Sequence, residues 1–158
     1  MATKEDFNAA EWQSVAEAPA LAGLMVVTAQ RGGTIRESVA MGRAYSEAGQ
    51  QHRGHDILGE IVSQPPGIDP REFSNVEELN SQGAERIRGA VATLESKASA
   101  EEVDAYKQFI DTVATAAAEA DKSGGVLGVG GERISEAEQG TLDRIREAVG
   151  LESGPAAA

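Results

Sequence analysis

Nucleophiles and metal ligands are scarce in this chain. It has no cysteine and only two histidines, His52 and His55. The lack of cysteine excludes disulfides, thiolate catalysis and cysteine-based zinc or iron–sulfur sites. The histidines form an HxxH pair followed by Asp56, but Gly54 interrupts it and no third strong ligand is near in the sequence. We interpret them as solvent-facing side chains. No serine has the surroundings of a nucleophile elbow. We therefore predict a protein with no enzymatic activity and no cofactor.

A glycine-rich loop from Gly124 to Gly131 has the composition of a phosphate-binding loop but not its order. A P-loop ends in Gly-Lys-Ser/Thr, whereas Gly131 is followed by Glu132. A dinucleotide-binding glycine motif follows a strand, and this loop follows a predicted helix. The segment from Asp121 to Glu132 has the length of a calcium loop, but Val126 stands where the sharp turn needs glycine. We interpret the loop as a connection between two helices.

Arginines are concentrated in one part of an acidic chain. The formal net charge is −12, which argues against nucleic-acid binding because phosphates need a basic face. Only the segment between Arg31 and His55 is net positive. We predict that its arginines form a docking patch for an anionic partner, either another protein or a second acidic copy of this chain. The alternative is a solvated helix face with ion pairs one turn apart. The patch consists of Arg31, Arg36, Arg43 and Arg53.

The elements that would position these residues are helices. In a capping box, a short polar residue begins the helix and a glutamate three residues later bonds back to it. Apolar residues also recur with the three-and-four spacing of a helix, and alternating strand patterns are absent. We predict an all-α protein, with six or seven helices in one compact domain. The capping-box spacing occurs at Asn8–Glu11, Thr34–Glu37, Ser74–Glu77, Ser99–Glu102 and Ser135–Glu138.

Pro19 is predicted to end the first helix and to begin a second one, because proline lacks the amide that a helix interior needs. The second helix is apolar on all sides, so the other helices should pack around it. Leu24 and Ile110 are predicted to be core residues. The remaining inward-facing positions are Ile87, Val91, Leu94, Ala98, Val103, Tyr106, Val113, Ala117, Leu142, Ile145 and Val149.

The predicted domain covers residues 8–150, and we expect disorder at 1–7 and 151–158. The first residues are acidic and lack the apolar core of a signal peptide. The longest uncharged stretch, from Ala18 to Gln30, is shorter than the roughly 20 residues that span a membrane. The sequence therefore predicts a cytoplasmic protein with no transmembrane segment.

Residues 131–138 read Gly-Glu-Arg-Ile-Ser-Glu-Ala-Glu and are followed by Leu142 and Ile145. This segment resembles part of the tellurite-resistance TerB-like helical domains, although Gly130 replaces the aspartate that usually precedes the glycine. The resemblance implies an all-helical fold and a role in bacterial stress response or membrane-linked complexes. It also implies a divalent cation held by acidic side chains. The implied ligands are Asp121, Glu132, Glu136 and Glu138. This function is the alternative to a non-enzymatic interaction module that binds a protein partner or a second copy of itself.

Overall fold

The computed structural model describes residues 1–29, 42–47, 50, 56–122 and 136–151. Every regular element in these ranges is helical, which confirms the all-α class. Residues 42–47 are helical as well, and short 3-10 turns lie at Lys4–Asp6 and Pro70–Glu72. The longer helices are α1 (Ala9–Ala29), α2 (Ile57–Ser63), α3 (Val76–Glu95), α4 (Ala100–Lys122) and α5 (Glu136–Val149).

Helix α1 is the element on which α3, α4 and α5 pack. It runs parallel to α4, because the Tyr106 hydroxyl of α4 bonds to the Val15 carbonyl, and the Ala2 amide ahead of α1 bonds to Glu102 in the first turn of α4. Buried side chains lie on several sides of α1, as expected for a central helix. None of the described helices is long and apolar enough to cross a membrane.

Helix α3 runs antiparallel to α1. Lys97, just beyond the end of α3, lies 3.2 Å from the Glu11 carboxylate near the start of α1. At the other end, a methyl group added at Gly83 would stand 2.6 Å from the sulfur of Met25. The two helices therefore pack closely at Gly83, where α3 has no side chain. Helix α5 completes the bundle by packing on α1, α3 and α4.

The predicted helix break at Pro19 is wrong, because α1 continues through this residue as one helix. Proline has no N–H, so it leaves the carbonyl of Val15, four residues earlier, without its usual helical donor. The Tyr106 hydroxyl donates to that carbonyl at 2.6 Å. Val15 and Tyr106 are both completely buried. A side chain from another helix therefore supplies the hydrogen bond that Pro19 removes.

The capping residues place most helix starts where the sequence predicts them. Asn8 and Glu11 exchange both bonds of a capping box at 2.9 Å, and the Ser99–Glu102 box is also formed. The predicted Ser74–Glu77 box is shifted by one residue. Asn75 accepts the bond from the Glu78 amide, and the Glu78 carboxylate accepts one from the Ser74 amide. The Thr34–Glu37 box and Ser135 lie outside the described residues. Gly150, with a φ of 79°, ends α5 in the left-handed conformation that favours glycine.

The core agrees with the predicted inward faces, with two exceptions. Ile110 is completely buried, whereas Leu24 is only partly buried. Leu24 shares with Ala20 and Val27 the side of α1 that the bundle covers incompletely. Ala98 is likewise partly buried, since it lies beyond the end of α3.

The two ends of the described chain also pack, although the sequence suggests disorder there. Ala2 and Phe7 are buried, and the 3-10 turn between them is closed by Thr3 and Asp6. An aromatic residue and a local cap thus hold a segment that has no apolar run of its own. Leu151 packs partly against the core, and residues 152–158 lie outside the described ranges.

Candidate functional site

The helical stretch 42–47 packs against α4 and carries Arg43, one residue of the predicted arginine patch. Within the helical stretch 42–47, Ala44 and Tyr45 are buried. The Tyr45 ring packs against Phe109 of α4 in an edge-to-face arrangement, with ring centroids 5.1 Å apart. Such a pair adds to the free energy of burying the rings. The inner face of the stretch is therefore fixed to α4.

Arg43 is exposed, and so is Glu47 one turn later. The two are spaced for an ion pair, yet no ion pair joins Arg43 to any of the described residues. The other three residues of the predicted patch, Arg31, Arg36 and Arg53, lie outside the described ranges, as do His52 and His55. The structure therefore places one member of the patch, with its charge directed to solvent.

Tyr45 also carries a buried polar atom with no hydrogen-bond partner, its hydroxyl oxygen. Burial raises the pKa of this phenol above its ordinary value, so the group is neutral at physiological pH. Burial likewise raises the pKa of Tyr106, and the nearby Tyr45 adds to that effect.

Next to this stretch lies a groove of about 170 Å³ between α2 and the beginning of α4. We call it the acid-rimmed groove. Residues of both helices line it, and three of them carry carboxylates. The lining residues are Asp56, Ile57, Leu58, Glu101, Glu102 and Ala105.

Two of the three rim carboxylates cap the helices that form the groove. Asp56 caps α2 by accepting a 2.7 Å bond from the Gly59 amide. Burial of Glu102 raises its pKa, but bonds from Ser99 and the Ala2 amide outweigh this effect, and the net pKa is lowered. Glu101 is exposed. Neither residues 56–63 nor residues 100–106 include a lysine or arginine.

No local sequence pattern predicts this groove. The acidic first turns of α2 and α4 were visible as local signals, but residues 57 and 101 come together only because α2 packs against α4. Along α4, Glu101, Ala105 and Phe109 follow an i, i+4, i+8 spacing and so lie along one side. Tyr45 therefore packs roughly 6–12 Å along the helix axis from the groove, at ~1.5 Å per residue.

The residues implied as cation ligands are only partly described. Glu136 is exposed at the start of α5, whereas Glu138 is buried, with 2% of its surface exposed. Glu132 and the side chain of Asp121 lie outside the described part. Among the described residues, no three acidic or histidine side chains gather in a way that could hold a metal ion.

A second, polar cleft of about 330 Å³ lies between α1 and the turn Pro70–Glu72. Ser14, Glu17, Glu72 and Arg86 are among its lining residues. Arg86 and Glu72 form a long, solvent-exposed pair of 3.5 Å. The lining includes a serine but neither a histidine nor a lysine that would activate it as a nucleophile.

No protein-family model, curated protein or solved structure matches this chain. The resemblance of residues 131–145 to TerB-like domains therefore stays a prediction.

Proposed function

We propose that this protein is a non-enzymatic helical interaction module that binds an anionic partner through the arginine patch Arg31, Arg36, Arg43 and Arg53. The observation that carries the proposal is the contrast within residues 42–47. Tyr45 fixes this stretch to α4, while Arg43 remains exposed with no ion pair to a described residue. A fixed cation on a chain with a net charge of −12 is suited to recognising an anionic surface.

The alternative is a solvated helix face. That alternative predicts stabilising ion pairs between residues one turn apart. Arg43 and Glu47 have this spacing, and both side chains are exposed without forming the pair. The charge of Arg43 is thus available to a partner at little cost in the free energy of the isolated protein.

The rest of the described surface favours an electrostatic partner over an apolar one. Among the described residues, Met1 and Val76 are the large hydrophobic side chains that are exposed, and they belong to different elements. An interface without an apolar patch depends on complementary charge, which speeds encounter and selects the partner.

The experiment compares two double variants, each of which replaces two arginines with glutamates and so changes the net charge equally. Arg36→Glu with Arg43→Glu alters the patch, and Arg88→Glu with Arg144→Glu alters exposed arginines on α3 and α5. Each full-length protein is immobilised and exposed to an extract of its source cells, and retained proteins are identified by mass spectrometry. The proposal predicts that wild type and control retain the same protein and that the patch variant loses it. Equal retention by all three, or none by wild type, would contradict the proposal.

A further inference from the structure

Residues 1–8 precede the helical bundle and contact the first turns of α1 and α4. We infer that this segment, which we call the strap, detaches from the bundle in acid before the helices unfold, because protonation of Asp6, Glu11 and Glu102 removes the charges that hold it. The inference is independent of the arginine patch, since it concerns a conformational change at the other end of the described chain.

Two buried residues attach the strap to the bundle. Ala2 and Phe7 expose only 5% and 8% of their surface. The Ala2 amide donates a 3.0 Å bond to the Glu102 carboxylate at the start of α4. The Phe7 ring packs against the ring of Trp12 in α1, with centroids 5.9 Å apart. Detachment therefore exposes Phe7 and the side of Trp12 that it covers.

Lys97, just beyond α3, joins the strap to α1. Its ammonium group donates a 2.8 Å bond to the Asp6 carbonyl, lies 3.2 Å from the Glu11 carboxylate and stands 5.6 Å from the centroid of the Phe7 ring. Glu11 also accepts a 2.9 Å bond from the amide of Asn8, the last residue of the strap. Protonation of Glu11 removes the charge that holds this ammonium group, and so weakens its contacts with the strap.

The Asp6 carboxylate closes the strap on itself by accepting bonds of 2.7 and 3.1 Å from the amide and hydroxyl of Thr3. Glu95, at the end of α3, is paired with Lys107 instead. Lysines and the terminal amine keep their charge in acid, so only carboxylates change charge there. The other charged groups of the strap and of the turns that it contacts are the Met1 amine, Lys4, Glu5, Lys97 and Glu101.

The direction of the pH effect follows from the same bonds. Bonds from Thr3 lower the pKa of Asp6 below its ordinary 3.8, and bonds from Asn8 and then Lys97 lower that of Glu11 below 4.5. Burial raises the pKa of Glu102, but bonds from Ser99 and the Ala2 amide lower it on balance. The contribution of these carboxylates to holding the strap is therefore present above their ordinary pKa values and is lost as pH falls through the folded ones.

The central contact between α1 and α4 lacks this dependence. Val15 and Ile110 are completely buried, and apolar packing does not titrate. The hydrogen bond from the Tyr106 hydroxyl to the Val15 carbonyl joins two groups that are neutral in acid. Local opening of a segment held mainly by exposed polar bonds can therefore precede loss of the helices beneath it.

The experiment follows amide hydrogen exchange of the full chain by mass spectrometry, in steps from about pH 7 to about pH 3. Each rate is divided by the intrinsic exchange rate at that pH, and circular dichroism follows the helices in the same samples. The Asp6 and Phe7 amides, which are hydrogen-bonded within the strap, should lose protection at a higher pH than the amides around Ile110. Helical circular dichroism should persist through that first step.

A triple variant removes the titrating groups while keeping similar side-chain shapes: Asp6→Asn, Glu11→Gln and Glu102→Gln. Its strap protection should not change with pH until the helices unfold. Simultaneous loss of protection in the strap and around Ile110, an unprotected strap at neutral pH, or a triple variant that keeps the wild-type acid step would each overturn the inference. The matched control replaces three exposed acids elsewhere and should keep that step: Glu85→Gln, Glu119→Gln and Glu147→Gln.

Discussion

Replacing Tyr106 with phenylalanine removes one hydroxyl from the centre of the bundle. That hydroxyl is the donor at 2.6 Å to the Val15 carbonyl, and Pro19 has no N–H to take its place. The variant leaves a completely buried carbonyl without this partner while hardly changing the packing. An unsatisfied buried group of this kind costs about 1–3 kcal/mol in free energy of unfolding. In a domain of this size, each kcal/mol lowers the melting temperature by roughly 2–4 °C.

Urea denaturation followed by helical circular dichroism measures this change. Tyr45→Phe is the control, because the Tyr45 hydroxyl is equally buried but has no hydrogen-bond partner. Its removal should be neutral or stabilising. A second control uses Pro19→Ala, which restores an N–H that can donate to Val15. In that background Tyr106→Phe should cost less, with a coupling of at least about 0.5 kcal/mol. Equal effects of both tyrosine substitutions, together with no coupling to position 19, would refute the reasoning.

Three further predictions concern packing, pH and cations. Gly83→Ala should lower the free energy of unfolding by about 1–3 kcal/mol, since its methyl group would collide with buried Met25. Gly89→Ala, in open space on the same helix, should raise it by up to about 1 kcal/mol. Chemical denaturation measures both changes. Hydrogen bonding from the Asn8 amide and then from Lys97 lowers the pKa of Glu11 below its ordinary 4.5. Its contribution to stability is therefore present above that value and lost as pH falls through the folded pKa, and Glu11→Gln should flatten the acid limb of the pH–stability curve. Millimolar Ca²⁺ or Mg²⁺ should raise the melting temperature no more than matched ionic strength does, whereas a specific gain would favour the cation-binding alternative.

Local sequence signals were sufficient to predict most of the helices. Capping residues such as Asn8 and Ser99 act within one turn, and the buried stripe of α4 depends only on spacing along that helix. The continuation of α1 through Pro19 could not be predicted from local signals. The residue that satisfies the freed carbonyl of Val15 is Tyr106, which lies 91 positions away. A local rule predicted the helix break, and a tertiary hydrogen bond removes the reason for it.

The candidate site, like the fold, was predictable only where it depends on local sequence. The arginine patch was visible as a local excess of positive charge, and the first turn of α4 was visibly acidic. The groove depends on the tertiary packing of α2 against the start of α4, which brings Ile57 and Leu58 near Ala105. No spacing rule within either helix predicts that contact.

The docking role of the arginine patch is tested most directly by a single exposed arginine. Full-length wild type, Arg43→Glu and the control Arg88→Glu are each immobilised and exposed to cell extract, and the retained proteins are eluted with increasing NaCl. We predict that wild type and Arg88→Glu retain the same protein and release it as salt screens the charges, whereas Arg43→Glu does not retain it. Equal retention by Arg43→Glu and wild type, or a retained protein that salt does not release, would contradict the proposed function.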